Sequence, residues 1–290
     1  MKCSLCKEEG HIKTNKKFHP EEGKSKDVTS KTLIDLKSET SKTPKVVEVP
    51  KKLLTEDLGK KTEYALCLLL DISYVSKSGY KYSIEEAEKI KERLSKVKEY
   101  LSYDEFTHTG ESSKLYDFTG KDNNHLSVKT NKHKNDWKIC PQIIGQPTKK
   151  KFCEYFELPI KCSDAKIKEF ITENTVKVLK AYFENSFHCP ILYYNEEEDT
   201  VMIIKKKSDI EWDKIDYKFS YQKSKTGSWN ESTTVYFEKE SKAIIDSVSD
   251  SKAINIGEFQ VHTNRDAIKF RFCLKNLIKN FKDNLEVIEF

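Results

Sequence analysis

Apolar and polar residues alternate strictly along residues 125–131, which read HLSVKTN. Leu126 and Val128 fall on one side of this alternation, and Ser127 and Lys129 fall on the other. A period of two residues is typical of a half-buried β-strand, whose successive side chains point to opposite faces. The pattern therefore predicts a strand here, with serine and lysine sharing one face.

Longer segments have the period of a helix. An apolar helix is predicted over KKTEYALCLLLDISYV, beginning after Gly59. Ser83 is the predicted N-cap of a second helix, with Glu86 as its capping-box partner, and Ser163 is the predicted N-cap of another. Their apolar stripes are Ile84, Ala87, Ile90, Leu94, Val97 and Leu101 in one, and Ile167, Phe170, Ile171, Val178, Leu179 and Tyr182 in the other.

The second half of the chain alternates between strand-like runs and turns. PILYYN and TVMIIKK flank the acidic turn EEED, and YKFSYQK and STTVYF flank SKTGSWNE, so each pair predicts a hairpin. INIGEFQVHTN and DAIKFRF read as further strands, and LKNLIKNF reads as a short helix. Helices followed mostly by hairpins predict a mixed α/β domain, a mixed sheet flanked by helices, because hairpins exclude a fully parallel sheet.

Composition divides the 290 residues into three parts. Residues 1–20 form a small metal-binding candidate, residues 21–55 are a Lys-, Ser-, Thr- and Glu-rich linker, and residues 56–290 are the main domain. The chain has no apolar run long enough to cross a bilayer, so no membrane span is expected. Its eight cysteines form no regular framework, which favours a reducing, intracellular and cytoplasmic location.

The net charge of +5 is unevenly distributed. Residues 1–55 hold 13 lysines against eight acidic residues, and the rest of the chain is neutral. Within that neutral part, residues 121–151 carry eight lysines against two aspartates, and residues 259–282 carry six basic residues against Asp266. Two basic segments suggest a positive groove that faces a polyanion, while ordinary solvated lysine is the alternative.

Residues 1–20 contain a zinc-ligand spacing. Cys3 and Cys6 are separated by two residues, His11 follows after four more, and His19 after a further seven. Two thiolates and an imidazole at this spacing suit tetrahedral Zn²⁺. The first three resemble a Cys-Cys-His-Cys zinc knuckle, but Lys16 stands where its fourth ligand is expected, so His19 is the substitute. A disordered tail with incidental cysteines is the alternative.

A catalytic site is predicted around the strand 125–131. The preceding run KLYDFTG carries Asp117, and GKDNN between the two runs predicts a hairpin turn that brings Asp117 beside Ser127 and Lys129. Hydrolysis of a phosphodiester with Mg²⁺ needs oxygen ligands for the metal and a group that orients or deprotonates the attacking water. A cross-strand ion pair between Asp117 and Lys129 is the structural alternative.

This arrangement resembles the signature of the PD-(D/E)XK nucleases, an Asp followed on the next strand by acid-x-Lys, with Ser127 in place of the acid. The resemblance implies that another acid completes the site, and Glu63, early on the first helix, is the candidate, because many members of that superfamily take a carboxylate from that helix. A first-turn glutamate favoured by the helix dipole is the alternative. LSVKTNK, WKICPQIIGQPTKKKF and IGEFQVHTNRDAIKFRF further resemble the type II restriction endonucleases of that superfamily, over roughly residues 56–290. The resemblance implies a restriction-endonuclease-like fold and Mg²⁺-dependent cleavage of double-stranded DNA at a short sequence, with a GC-containing palindrome as our expectation. It also implies a homodimer and a cognate DNA methyltransferase; the lysine-rich composition fits a gene carried by a large DNA virus.

Several side chains are candidates for DNA contact. PTKKKF predicts a helix whose first turns carry three lysines, which suit phosphate. Near the end, GEFQVHTNR predicts a strand with one row of hydrogen-bonding side chains, followed by an arginine. For the glutamines before the helix, the alternative is a loop whose side chains hydrogen-bond within the loop. For the strand, the alternative is an ordinary solvated face. The candidates are Gln142, Gln146, Lys149, Lys150, Lys151, Glu258, Gln260, His262, Asn264 and Arg265.

Two other functions remain open at this point. A non-catalytic, zinc-containing nucleic-acid-binding protein is favoured by the serine at position 127. A structure- or RNA-directed nuclease would use the same metal site. The chain contains no P-loop, GxGxxG, GxSxG or HExxH motif, so the sequence gives little support to the enzyme classes that carry them.

Overall fold

Helices and strands alternate through the residues that the computed structural model describes, which are 55–75, 83–101, 105–110, 116–134, 138–139, 147–214, 217–223, 229–239 and 253–290. These residues belong to the unit Lys51–Phe290. The helices are α1 Thr55–Leu70, α2 Ile84–Arg93, α3 Val97–Leu101, α4 Lys149–Tyr155, α5 Asp164–Glu173, α6 Thr175–Ser186 and α7 Leu274–Asn280. The strands are β1 Thr107–His108, β2 Phe118–Thr119, β3 His125–Asn131, β4 Lys138–Ile139, β5 Ile191–Asn195, β6 Thr200–Lys206, β7 Tyr217–Tyr221, β8 Ser232–Lys239, β9 Ile254–Val261, β10 Ile268–Cys273 and β11 Leu285–Glu289.

The strands form two sheets. One has the order β1-β2-β3-β5-β6-β11, and the other has the order β4-β10-β9-β8-β7. Strands β3 and β5 pair in parallel, whereas the hairpins β5–β6 and β7–β8 are antiparallel. A parallel pair needs a long crossover, and helices α4 to α6 lie in the connection between β3 and β5. The mixed α/β fold predicted from the sequence is confirmed.

Every residue of strand β5 is buried, because the six-stranded sheet is covered on both faces at this strand. Leu192 and Tyr194 pack into an apolar cluster with helices α1 to α3. Ile191 and Tyr193 pack on the other face into a second cluster, which includes helices α4 to α7 and the inner face of the five-stranded sheet. A strand covered on both faces reads as a continuous apolar run, as ILYY does here.

Helix α1 differs from its prediction at both ends. It begins at Thr55 and not after Gly59, and it ends at Leu70, so that the predicted segment DISYV lies beyond it. Gly59 lies inside the helix and close to β3, since a Cβ at this position would be 3.6 Å from Thr130 Oγ1. The glycine that the sequence suggested as a boundary is therefore a point of close helix–strand packing.

The predicted caps Ser83 and Ser163 are confirmed in position, but the capping box is wrong. Ser163 accepts a hydrogen bond from a backbone N–H in the first turn of α5, as Thr148 does for α4. Ser83 is the N-cap of α2 but makes no side-chain capping bond. Glu86 forms an ion pair with Lys61 of α1 instead. The carboxylate that was expected to complete the capping box therefore links α2 to α1.

The predicted helix after Ser163 is two helices, α5 and α6, which meet at Asn174. Both predicted hairpins of the second half are present, with the partners expected. Strand β9 ends at Val261, before the predicted end at residue 264. No helix in the described part of the chain is long and apolar enough to cross a membrane.

Candidate active site

Strands β2 and β3 form the hairpin that the sequence predicted, and it brings Asp117 to Lys129. Asp117 directly precedes β2, and its backbone N–H donates to the Leu126 carbonyl at 3.1 Å. Its Oδ2 accepts a hydrogen bond from Val128 N–H at 2.7 Å and lies 3.8 Å from Lys129 Nζ. The side chains of Asp117 and Lys129 are 20% and 21% exposed, so both remain accessible from one side.

The alternation predicted for β3 places Ser127 on the strand face that carries Lys129. Ser127 is nevertheless buried, and its hydroxyl hydrogen-bonds the thiol of Cys189. Burial raises the pKa of Cys189 to about 11, against the lowering effect of that hydrogen bond, so the thiol stays protonated at neutral pH. The Ser127 hydroxyl is thus already engaged at the position where a metal-binding acid was expected.

Glu63 of helix α1 reaches the same region. Its side chain is 7% exposed, and both carboxylate oxygens lie 3.0 Å from Lys60 Nζ. Burial raises the pKa of Asp117 above its ordinary value, although the Lys129 ammonium lowers it. The Glu63 carboxylate raises the pKa of Asp117 further, because two negative charges held near each other repel.

His108 of β1 completes the surroundings of Glu63 and was missed by the sequence reasoning. Its imidazole is fully buried, with Nε2 2.9 Å from Glu63 Oε2. Gly110 lies against this pair, since a Cβ on it would be 2.6 Å from Glu63 Oε2. A histidine 45 positions from its partner, on a strand of two residues, has no local sequence signal that pairs it with an acid.

An aromatic group borders the hairpin on another side and was also missed. Tyr116 stacks on His125 with 3.6 Å between ring centroids, and it lies 4.8 Å from His188. Burial lowers the pKa of His188, and the positive charge of Lys129 lowers it further, against the raising effect of a hydrogen bond to the Asn185 carbonyl. His188 is therefore mainly neutral at pH 7, at the edge of the Asp117–Lys129 pair.

Asp117 and Glu63 are the carboxylates of this region that could hold a magnesium ion. Across the described ranges, no three His, Cys, Asp or Glu side chains converge as ligands. Mg²⁺ is usually held by one or two carboxylates, with waters and substrate phosphate filling the remaining positions. A divalent cation beside Asp117 would also offset the burial, and the smaller repulsion from Glu63, that raise the pKa of Asp117. The predicted zinc ligands Cys3, Cys6, His11 and His19 lie outside the described residues.

The predicted phosphate-binding lysines begin helix α4, as expected, and Lys149 has the closest acidic partners described for them. Lys149 N–H donates to Asp266 Oδ1 at 3.0 Å, and Lys149 Nζ lies 2.6 Å from Asp164 Oδ1. Lys150 is exposed and has a loose contact of 3.7 Å with Glu154. The bond to Asp266 also brings the start of α4 beside the turn that follows β9, so two predicted DNA-contact segments are neighbours in the fold.

The predicted reading strand is shorter than expected. Glu258 and Gln260 lie on the half-buried face of β9, but the strand ends at Val261. His262 follows the strand, 3.7 Å from Glu231, whereas Asn264 and Arg265 are exposed in the turn to β10. The row of hydrogen-bonding groups therefore divides into a strand part and a turn part. Gln142 and Gln146 lie outside the described residues.

Glu258 is the centre of a polar network on the five-stranded sheet. Its two oxygens accept hydrogen bonds from Gln260 Nε2 at 2.8 Å and Lys138 Nζ at 3.0 Å. Burial opposes ionisation, but these bonds, helped by the positive charge of Arg271, hold the pKa of Glu258 below its ordinary value. Arg271 faces Glu258 across the β9–β10 pair. Asn131, at the end of β3, donates to the Lys138 carbonyl at 3.0 Å and so joins this network to the strand of Lys129.

Comparison with known proteins gives one informative similarity. The chain is 41% identical over 235 residues to the type II restriction enzyme CviAII of Paramecium bursaria Chlorella virus 1. The matched region covers 81% of this chain and 63% of that enzyme. No protein-family model matches the chain, and no solved structure matches it.

Proposed function

We propose that this protein is a type II restriction endonuclease of the PD-(D/E)XK superfamily, which hydrolyses double-stranded DNA at a short specific sequence with Mg²⁺. The observation that carries the proposal is the Asp117–Lys129 pair at 3.8 Å across the β2–β3 hairpin, with Glu63 near enough to act on Asp117. The similarity to a named type II restriction enzyme supports the reaction and the substrate.

Each proposed catalytic group has a distinct task. Asp117, held by Val128 N–H, and Glu63, paired with Lys60, would be the protein ligands for Mg²⁺. When bound, the ion would supply Lewis-acid stabilisation of charge on the scissile phosphate. Lys129 holds the attacking water by hydrogen bonding and places positive charge beside the phosphorane-like transition state.

The proposed DNA contacts lie at the start of α4 and around the β9–β10 turn. Lys150 and Lys151 contact phosphates, and Arg265 with Asn264 reads base edges. Lys149 mainly supports this surface, through its backbone N–H bond to Asp266 and its ammonium contact with Asp164. Gln260, Glu258 and His262 extend this surface along the strand, and Gln142 and Gln146 belong to the same proposal. Cutting both strands of a palindrome favours a two-fold homodimer, and a cognate methyltransferase would protect the cell's or virus's own DNA.

The testing experiment is incubation of the full chain with unmethylated plasmid and Mg²⁺. Discrete fragments are expected, and Lys129→Ala should reduce the cleavage rate by about 10²–10⁴-fold while leaving DNA binding largely intact. Asp117→Ala should have the same effect. Lys206→Ala is the matched control, because Lys206 is also a strand lysine paired with an aspartate, at 2.7 Å from Asp209 Oδ1, and it should cleave like the parent.

Three outcomes would contradict the proposal in different ways. If Lys129→Ala cut at the parent rate, the catalytic site would lie elsewhere, with Glu258 and Gln260 as the next candidates. Preferential cleavage of single strands or RNA over duplex DNA, in competition, would indicate a structure- or RNA-directed nuclease. Binding without any cleavage would favour the non-catalytic nucleic-acid-binding protein, which the engaged hydroxyl of Ser127 also favours.

A further inference from the structure

We propose that His108 is a positioning residue that fixes the orientation of the Glu63 carboxylate for metal binding, with Gly110 providing the space for this contact. The inference rests on the proposed function, since it concerns the same site. It assigns a role to two residues that lie far from Glu63 in the sequence and outside the acid-x-Lys pattern.

The hydrogen bonds of His108 determine which ring nitrogen carries the proton. Val75 N–H lies 3.3 Å from His108 Nδ1, and a backbone N–H can only donate. Nδ1 must therefore be the acceptor, so in the neutral ring the proton is on Nε2. Nε2 lies 2.9 Å from Glu63 Oε2, so it donates to the carboxylate along a fixed direction. Carboxylates that ligate metals are themselves hydrogen-bonded by neighbouring groups that orient them, and His108 has this relation to Glu63.

The ring of His108 has little freedom to turn away from Glu63. Its side chain is fully buried, and it packs against Tyr74 at 4.7 Å and Phe118 at 5.2 Å between ring centroids. Phe118 is the residue directly after Asp117, on strand β2. The packing that holds the His108 ring is thus continuous with the hairpin that holds Asp117.

Gly110 closes the space around the contact. A Cβ at this position would be 2.6 Å from Glu63 Oε2 and 3.2 Å from His108 Nε2. Real Cβ atoms essentially never approach other heavy atoms so closely, so even alanine would force the carboxylate or the ring to move. The Glu63 Oε2 atom is therefore enclosed by the imidazole on one side and by backbone on another.

Both Glu63 oxygens also contact Lys60, but an ammonium gives much less directional control than an imidazole N–H. Loss of the partner that orients a metal ligand typically costs about 10–100-fold in metal affinity or activity. His108→Leu should therefore raise the half-saturating Mg²⁺ concentration for cleavage by about 10–100-fold. DNA binding without metal should change little, since the buried side chain of His108 would not contact DNA itself.

The experiment compares His108→Leu, His108→Gln and Gly110→Ala in the full chain. Glutamine keeps an N–H donor at about the reach of Nε2, so His108→Gln should restore most of the metal response, whereas Gly110→Ala should resemble His108→Leu. Direct Mn²⁺ binding, measured from the loss of the free-ion electron paramagnetic resonance signal, should follow the same order. His133→Leu is the matched control, because His133 also faces a glutamate, Glu197 at 3.8 Å, but on the exposed surface.

Nitrogen NMR of the ¹⁵N-histidine-labelled parent protein provides a readout that does not depend on cleavage. The signal lost in His108→Gln identifies His108, and it should show the proton on Nε2 and a bare Nδ1. A proton on Nδ1 would overturn the inference. Equal thermal destabilisation by leucine and glutamine, with unchanged Mg²⁺ and Mn²⁺ responses, would make His108 a purely structural residue. If the parent cleaves no DNA, the proposed function fails, while the Mn²⁺ and NMR measurements still decide the role of His108.

Discussion

At the scale of single residues, arginine is the informative side chain, because the chain has only Arg93, Arg265 and Arg271 among 52 basic residues. Arg265 is exposed in the turn beside the start of α4. A planar guanidinium can pair with guanine O6 and N7 together, a contact that lysine cannot reproduce. We therefore expect Arg265→Lys to lose about 1–3 kcal/mol of discrimination at one base pair, measured as binding to cognate and scrambled duplexes over a salt series.

Two further variants serve as comparisons for the Arg265→Lys measurement. Lys150→Ala should weaken binding to all sequences alike and reduce the salt slope by about one, because Lys150 is exposed and only loosely paired. Arg93→Lys should change neither quantity, since Arg93 is paired with Asp199 at 2.7 Å on another part of the domain. Equal weakening of both duplexes by Arg265→Lys would make Arg265 a phosphate contact and exclude it from base readout.

At the scale of elements, the sequence predicted those strands, hairpins and helix ends whose formation depends on neighbouring residues in the chain. Strand β3, both hairpins of the second half, the N-cap Ser163 and the start of α4 are where the alternation, turn and cap patterns placed them. The two-residue strands β1 and β4 were missed because so short a segment has no period to detect. Strand β11 was missed as well; it pairs with β6 on the side opposite β5, a long-range contact that no local pattern predicts.

The polar network between β4, β9 and β10 gives a prediction at this scale. Because the pKa of Glu258 is lowered in the folded protein, its ionised form stabilises the fold. This contribution is complete above the ordinary glutamate pKa and is lost as the pH falls through the lowered value. Glu258→Gln should therefore reduce the free energy of unfolding by about 1 kcal/mol at pH 7, as measured by urea denaturation.

The difference between Glu258→Gln and the parent should disappear in acid, below the folded-state pKa. Glu211→Gln is the control, because Glu211 lies 3.0 Å from Lys214, the same distance as in the Glu258–Lys138 pair, but its side chain is 71% exposed. Water screens such a pair, so this variant should show little change at any pH. A Glu258→Gln deficit that persisted unchanged in acid would mean that lost packing, and not the ionised carboxylate, causes it.

At the scale of the whole molecule, the candidate site combines residues that the sequence predicted and residues that it did not. Asp117 and Lys129 were predictable because a single short hairpin joins them. His108 and Glu63 are 45 positions apart and meet only because α1 packs beside the strands, which depends on the complete fold. Ser127 was predicted to face the site, but Cys189, which follows a distant helix, occupies its hydroxyl.

The remaining prediction concerns residues 1–20, whose candidate zinc ligands lie outside the described part of the chain. Two thiolates separated by two residues, followed by His11 and His19, should bind one Zn²⁺ tightly enough to survive purification. We expect about one zinc per chain by metal analysis, lost when Cys3→Ser and Cys6→Ser are combined. His19→Ala tests the fourth ligand and should weaken zinc retention, whereas Cys162→Ser, a half-buried thiol of the main domain, should not.

The same double variant tests whether the zinc segment belongs to the catalytic unit. Because Asp117, Lys129 and Glu63 all belong to the main domain, the zinc-free protein should still cleave DNA, at a reduced rate that plasmid digestion would measure. Complete loss of cleavage in a folded double variant would place residues 1–20 within the catalytic unit. A structural zinc contributes directly to the folding of the segment that holds it. If the parent protein contained no zinc and its circular dichroism spectrum did not change when zinc was added, the metal site itself would be refuted.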